Sequence, residues 1–521
     1  MSESATVMRR PSPLVLGRKP VAAVGVLAIL AIAFHIFVIP IDARFYGLFD
    51  NVTDLFVYRA GGQVVLDGKP LYEFPVSGRL SFTYPPFSAV VFTVFALMSA
   101  MAAKIVWWVA IFVALVLTVY LGMRTLGYQG DRRLAVFAVC GAVCTTVLEP
   151  VRTTIWLGQI NVFLMFIILL DLVFLDLLHP RSRLRGIGVG IAAGLKLTPA
   201  FFVLYLLVLR RWRAAAMAVV AFGVTVAVGY IVIGAGAHQY WTTYVTGESR
   251  IGRVDSPANQ SVNGFMAQML AYFDIRRFSH PAPGGPLFSA PDWLWVPVAL
   301  VAAVLGLWAA VVSYRRGRRL LSVSIAGMTA ATVSPFSWGH HWVWVVPLLV
   351  VAFDFAYRGS LDGRRRWWRW LAPLAICALS FSYWWNYFGS GPHYRADHII
   401  AIGLFMMPRY PDPGVLDRLS VVLYSGCYPL ILLLTIIVTL VVEFRERRAE
   451  KQGQAADSSE TSTTADTGAP ESSTYPGTIE SSSGVESRSV PGTAPAESGA
   501  RRADVATSTD LESSAQIRHP A

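Results

Sequence analysis

Asp54 is the residue whose type and position most clearly invite chemistry. It stands in TDLFVYRAGG at 53–62, just beyond an apolar span running from about Val21 to Ile39. A carboxylate held at a membrane face among aromatic residues is costly unless it reacts or finds a partner, so Asp54 is a candidate catalytic base. The same string reads equally well as a helix N-cap, because the aspartate precedes an apolar run.

Four further groups carry polar residues in apolar surroundings. In GQIN (158–161), Gln159 and Asn161 stand at a membrane boundary. In GLKLTP (194–199), Lys196 sits well inside an apolar segment and must reach the interface or pair with an anion. Pro199 beside it breaks a helix and frees backbone groups, which suits an irregular backbone next to a polar cavity. In SPFSWGHHW (334–342), His340 and His341 suit phosphate binding, proton relay or sugar stacking, or else an interfacial belt with their tryptophans. Neighbouring helical side chains point about 100° apart, so one histidine is expected to face a cavity. The loop 235–292 carries NQSVNG, where Asn259, Gln260 and Ser261 offer the donors and acceptors that sugar hydroxyls require, and that ordinary turns also use. The loop 40–84 runs through glycines and prolines to SFTYPPF (81–87), with Tyr84, and is expected to fold back on the membrane. No closely spaced set of His, Cys and acidic residues has metal-site spacing, so neither metal nor cofactor is expected.

The elements that must position these residues are membrane helices. Of 521 residues, 55% are hydrophobic and 15% charged, and the mean hydropathy is +0.51, which excludes an ordinary soluble domain. Apolar windows of spanning length recur about twelve times, near 20–39, 85–102, 105–123, 133–148, 160–178, 186–208, 213–234, 293–313, 319–335, 340–357, 368–386 and 419–442. This predicts an all-α polytopic membrane protein with a cytoplasmic segment 1–19, a transmembrane domain 20–445 and a disordered cytoplasmic tail 446–521, poor in bulky apolar residues. Arg9, Arg10, Arg18 and Lys19 precede the first span, and the clusters at 210–213, 315–319, 364–366 and 445–448 fall on the same, cytoplasmic side. In the twelve-span count Arg124–Arg133 and Arg181–Arg185 fall outside; a single crossing over 85–123 and a re-entrant 186–208 would bring both inside. Either way Asp54, loop 235–292 and residues 336–342 are expected on the extracytoplasmic face. The net charge of +12 sits in short loops, as the positive-inside rule requires, and implies no nucleic-acid partner. The four cysteines lie in or beside apolar spans, which argues against a disulfide framework.

Taken in order, Asp54 with Tyr58, Leu71-Tyr72, YPPF, GQIN, GLKLTP, NQS and SPFSWGHH resemble glycosyltransferase family 87 over roughly residues 20–445. The resemblance implies the GT-C membrane fold, a plasma-membrane location and a polyprenyl-phosphate sugar donor. Within the family the chain is most similar to transferases that move mannose from polyprenyl-phosphate-mannose to phosphatidylinositol mannoside glycolipids through an alpha-1,2 linkage. It implies the base role for Asp54 and a supporting role for the histidines, His341 in particular. Lys196, Arg59, Gln159, Asn161, Tyr84 and the Asn259–Ser261 string then become candidates for binding the donor phosphate or substrate. Alternatives are a related transferase adding mannosyl or arabinofuranosyl units to lipomannan or lipoarabinomannan, and a transporter. A transporter would call for internal repeats, and none of these strings is duplicated.

Overall fold

The computed structural model describes residues 13–465 apart from 40, 42–46, 79, 180–181, 246–251, 283–284, 362–365 and 383–420. Arg9, Arg10, Arg181, Arg364, Arg365, Glu248 and Arg250, and the tail beyond Ala465, lie outside the described residues.

Among the described residues the regular structure is helical, apart from one short antiparallel pair, β1 (Ser279–His280) and β2 (Leu287–Phe288), and isolated bridges. In order the helices are α1 (Arg18–Ala33, extended by a π turn to Val38), α2 (Thr53–Leu66), α3 (Pro86–Ala96), α4 (Ala100–Thr125), α5 (Arg132–Thr145), α6 (Glu149–Leu157), α7 (Asn161–Leu169) and α8 (Leu175–Leu178). There follow α9 (Ile187–Leu195), α10 (Phe201–Val208), α11 (Trp212–Ile233), α12 (Ala235–Gln239), α13 (Val262–Tyr272), α14 (Asp292–Arg315), α15 (Arg319–Val333), α16 (Val345–Leu361), α17 (Leu371–Phe381) and α18 (Cys427–Ala465). The chain divides into two units, Met1–Gln452 and Gly453–Ala521, and everything below concerns the first. The expected unstructured tail is helical in backbone as far as Ala465. A helix begun in an apolar span propagates at one hydrogen bond per residue fixed, and polarity alone does not end it.

Six helices are long and apolar enough to cross a membrane, or seven if the pair α5 and α6, bent by 80°, is one span. The twelve apolar windows therefore do not correspond to twelve full crossings among the described residues. Window 85–102 yields the 11-residue α3, and 319–335 the 15-residue α15; at 1.5 Å per residue these reach about 16 and 22 Å, short of the roughly 30 Å of hydrocarbon. Window 160–178 is interrupted by a π turn at Leu170–Phe174, and 186–208 breaks between α9 and α10 at Lys196–Pro199. Window 368–386 supplies α17 before passing out of the described residues.

The basic loops gather at one end of the bundle. Leu14 exchanges backbone hydrogen bonds with Gly127 and Gln129 at 3.0 and 2.9 Å, and the Arg358 guanidinium lies 5.6 Å over the Tyr128 ring. Arg185 and Arg211 border one hollow with Tyr314, and Arg211 and Arg319 both lie 5.8 Å from that ring. Arg316 pairs with Glu443 at 2.8 Å and Glu450 at 2.6 Å, which ties α18 to the α14–α15 turn. Gly122, near the end of α4, packs on Leu320 at the start of α15, joining the two groups. Arg124–Arg133 and Arg185 thus share an end with the other basic loops, correcting the twelve-span count; the short and broken helices between them do not each cross.

Candidate active site

At the opposite end, the chain enters α2 through Val52, whose φ of 43° is uncommon for a β-branched residue. Two hydrogen bonds hold this turn: Val52 N–H donates to the Trp156 carbonyl at 2.8 Å, and Thr53 N–H donates to Asn51 Oδ1 at 3.1 Å. Val52 occupies the N-cap position without a side-chain cap, Asn51 accepts the first helical N–H from outside the helix, and Asp54 is the second residue of the helix, where the N-terminal dipole favours its charge. Its carboxylate accepts a 2.6 Å hydrogen bond from Gln159 Nε2. Burial pushes the Asp54 carboxyl up to about 6, while the Gln159 hydrogen bond and the Lys196 charge pull it back down. At neutral pH the group is ionised and more basic than an ordinary aspartate, as a general base requires.

Gln159 is delivered by α6, a helix buried along its whole length. It ends at Gly158 in the left-handed region (φ 68°), where a side chain would also strike Leu55 of α2. The Gln159 Oε1 accepts from Tyr58 at 2.9 Å and from Asn161 at 3.4 Å, and its Nε2 also donates to the Tyr84 hydroxyl at 3.2 Å. Tyr58 is fixed by stacking on Phe92, 4.4 Å between centroids, and the Tyr84 backbone is held by the Tyr72 hydroxyl at 2.7 Å. The YPPF and LY strings are therefore what place Tyr84 beside the amide.

Lys196 closes the chain of contacts. It sits at the end of α9 in extended conformation, and the following turn carries Pro199. Its ammonium donates to Asn161 Oδ1 at 3.0 Å, contacts His341 Nε2 at 2.9 Å and lies 5.4 Å over the Tyr84 ring. Asp54, Gln159, Asn161, Lys196 and His341 thus form one continuous line, although they span nearly 290 residues of sequence. Asn161, Lys196, Thr198 and His341 supply the polar side of a cleft whose remaining wall, including Leu164, Phe202 and Trp344, is largely apolar.

Other sequence candidates stand elsewhere. Arg59 donates to the carbonyls of Phe95 and Met98 at 3.0 and 2.7 Å, so its guanidinium finishes α3 and does not join the line. Asn259 Oδ1 accepts from Ser337 N–H and the Ser261 hydroxyl, Gln260 Nε2 donates to the carbonyls of Pro257 and Tyr424, and Ser261 caps α13. All three are fully buried; they pin the outer loop to the SPFSW segment. His340 is buried too, and neither of its ring nitrogens meets a hydrogen-bond partner among the described residues. His341→Ala is accordingly expected to lower transfer at least about tenfold, and His340→Ala to change it less; steady-state kinetics of both purified variants check this, and equal effects would contradict it. Among the described residues no three His, Cys, Asp or Glu side chains are grouped to hold a metal ion.

Among the buried carboxylates that the sequence reading did not single out, Glu149 stands on the helix that leads into Gln159. Glu149 opens α6 with 1% of its surface exposed and accepts hydrogen bonds from the hydroxyls of Thr153, at 2.7 Å, and Tyr428. The available signal was LEPVR, a pair of opposite charges inside an apolar window.

The profile of glycosyltransferase family 87 matches residues 82–335, a segment that includes Gln159, Asn161 and Lys196 and leaves out Asp54 and His341. The chain is 35% identical over 306 residues to a polyprenol-phosphate-mannose-dependent alpha-(1-2)-phosphatidylinositol pentamannoside mannosyltransferase of Mycolicibacterium smegmatis, covering 58% of this chain and 69% of that protein. It is 32% identical over 339 residues to a polyprenol-phosphate-mannose-dependent alpha-(1-2)-phosphatidylinositol mannoside mannosyltransferase of Mycobacterium tuberculosis, covering 62% and 74%. A protein of the latter description from M. smegmatis is 33% identical over 383 residues, covering 67% and 80%. No solved structure matches. With this identity and coverage, the chain belongs to glycosyltransferase family 87.

Proposed function

We propose that this chain transfers mannose from polyprenyl-phosphate-mannose to a phosphatidylinositol mannoside, with inversion, forming an alpha-1,2 linkage. The relatives' names supply donor and acceptor class. The observation that carries the mechanism is the line from Asp54 to Lys196 and His341, with a base at one end and phosphate-binding groups at the other. A cleft that is polar on one side and apolar on the other suits an anion attached to a hydrocarbon chain.

In this reading Asp54 removes the proton of the acceptor hydroxyl as that oxygen attacks the anomeric carbon from the face opposite the phosphate. The C–O bond to phosphate breaks, and the phosphate leaves as an anion stabilised by Lys196 and His341. One displacement inverts configuration, so a beta-linked donor yields an alpha-linked product. Retaining glycosidases instead need two carboxylates about 5–5.5 Å apart. In this reading the basic end of the bundle faces the cytoplasm, as the positive-inside rule favours, and Asp54 and the cleft face the outside of the plasma membrane.

The test is an assay of purified protein with polyprenyl phosphates carrying mannose or arabinofuranose, offered with phosphatidylinositol mannosides and longer lipomannan acceptors, with product linkage determined. An alpha-1,2-mannosylated phosphatidylinositol mannoside is the expected product. Transfer of arabinofuranose alone, or only to the longer acceptors, would reassign donor or acceptor within the family.

A further inference from the structure

Glu149 is a buried carboxylate with no place in the reaction above. Removing such a group from water is unfavourable unless its oxygens are well bonded, so its surroundings bear on what it does. It opens α6, the helix whose other end leads directly into Gln159 and Asn161. One oxygen accepts from Thr153 of the same helix at 2.7 Å, the other from Tyr428 of α18. The Tyr428 hydroxyl also bonds Ser382 Oγ, at the end of α17, at 2.9 Å, and its ring packs 5.6 Å from Trp342.

The carboxylate lies directly against Gly339, the residue that opens the turn carrying both histidines. A side chain at position 339 would run into both Glu149 oxygens and come within 2.9 Å of its carboxyl carbon. Gly339 is thus bare where another element supplies the filling group. One side chain joins the helix that presents Gln159 and Asn161 to the turn that presents His341.

We infer that Glu149 is a positioning residue for the phosphate end of the site, wedging the histidine turn against α6 so that His341 stays within reach of Lys196 and Asn161. The inference rests on the reading of Lys196 and His341 as phosphate-binding groups. It does not require that the transferred sugar be mannose. Displacements near 1 Å lower rates by about 100-fold in preorganised sites, which sets the scale.

The experiment measures binding of polyprenyl phosphate without sugar to the full-length protein in detergent, alongside thermal unfolding and transfer kinetics. Glu149→Ala is expected to weaken binding at least about tenfold, with kcat falling as well. Glu149→Gln keeps the shape but replaces one of the two acceptor oxygens with a donor, so that one of the hydroxyl bonds from Thr153 and Tyr428 is lost. It is expected to remain folded and bind about three- to tenfold more weakly, a loss within the range of one hydrogen bond. Supplying the carboxylate from the turn, in E149A/G339D, is expected to recover most of the Glu149→Ala loss, while Gly339→Asp alone, which collides with Glu149, is impaired.

Wild-type binding by folded Glu149→Gln would overturn the inference. So would a folded double variant binding no tighter than Glu149→Ala. If the alanine variants fail to fold, Glu149→Gln decides alone. Wild-type protein that binds polyprenyl phosphate but transfers no mannose would refute the proposed donor and leave this inference standing.

Discussion

Replacing Asp54 by Asn is expected to lower transfer by about 10²–10⁴-fold, the range general-base catalysis supplies, while folding and donor binding persist. The amide fills the same volume at the second position of α2, and it keeps a hydrogen-bonding oxygen for Gln159 Nε2. It has no basic oxygen to take the acceptor proton. The phosphate-binding groups stand at the far end of the line, so donor affinity should stay near the wild-type value. Turnover above about a tenth of wild type would assign the carboxylate a supporting role only.

Lys196→Met should act on the other substrate. The thioether matches the length and bulk of the lysine stem but removes the point charge that contacts Asn161 and His341. A buried charge pair broken on one side loses about 2–5 kcal/mol, so the donor requirement should rise at least about tenfold with the acceptor's little changed. A second effect follows from the same charge: Lys196 helps hold the Asp54 carboxyl down, so its loss should also shift the base upward. Unchanged donor affinity, measured by titration of polyprenyl phosphate, would mean that the ammonium merely reaches for the membrane surface.

The strings that compose the site were legible because each sets a polar residue in apolar surroundings, where a bilayer leaves few bland explanations. Their convergence was not legible. Gln159 meets Asp54 because Gly158 turns the chain at the end of a buried helix, and Lys196 meets His341 because the segment 186–208 breaks rather than crosses. Spanning windows were overcounted for a related reason: hydropathy records apolar length, and Pro86–Ala96 and Arg319–Val333 are apolar without being long enough. The N-cap alternative for Asp54 fails because Val52 occupies the N-cap position and Asp54 lies inside the helix as its second residue.

Arg59 and the Asn259–Ser261 string show the opposite limit. Their donors and acceptors suit a phosphate or a sugar, yet the same groups satisfy the carbonyls ending α3 and the backbone of the SPFSW segment. Composition gives the number of hydrogen-bonding groups in a loop but not their partners. The expected divergence of the two histidines assumed an α-helix, but they stand in a 3-10 turn, Gly339–Trp342, from which His341 contacts Lys196 while the His340 ring nitrogens meet no hydrogen-bond partner among the described residues.

The dependence of kcat/KM on pH bears most directly on Asp54 as a base tuned by its neighbours. With the carboxyl at about 6 in the free enzyme, the active, ionised form is lost as pH falls through that value. Rate should then drop about tenfold per pH unit below it. Gln159→Ala removes a hydrogen bond that favours the ionised form, so it should move this acid limb to higher pH while the high-pH plateau remains measurable. A wild-type profile that stays flat well below pH 6, or an acid limb that Gln159→Ala leaves where it was, would contradict the assignment of Asp54 as the base.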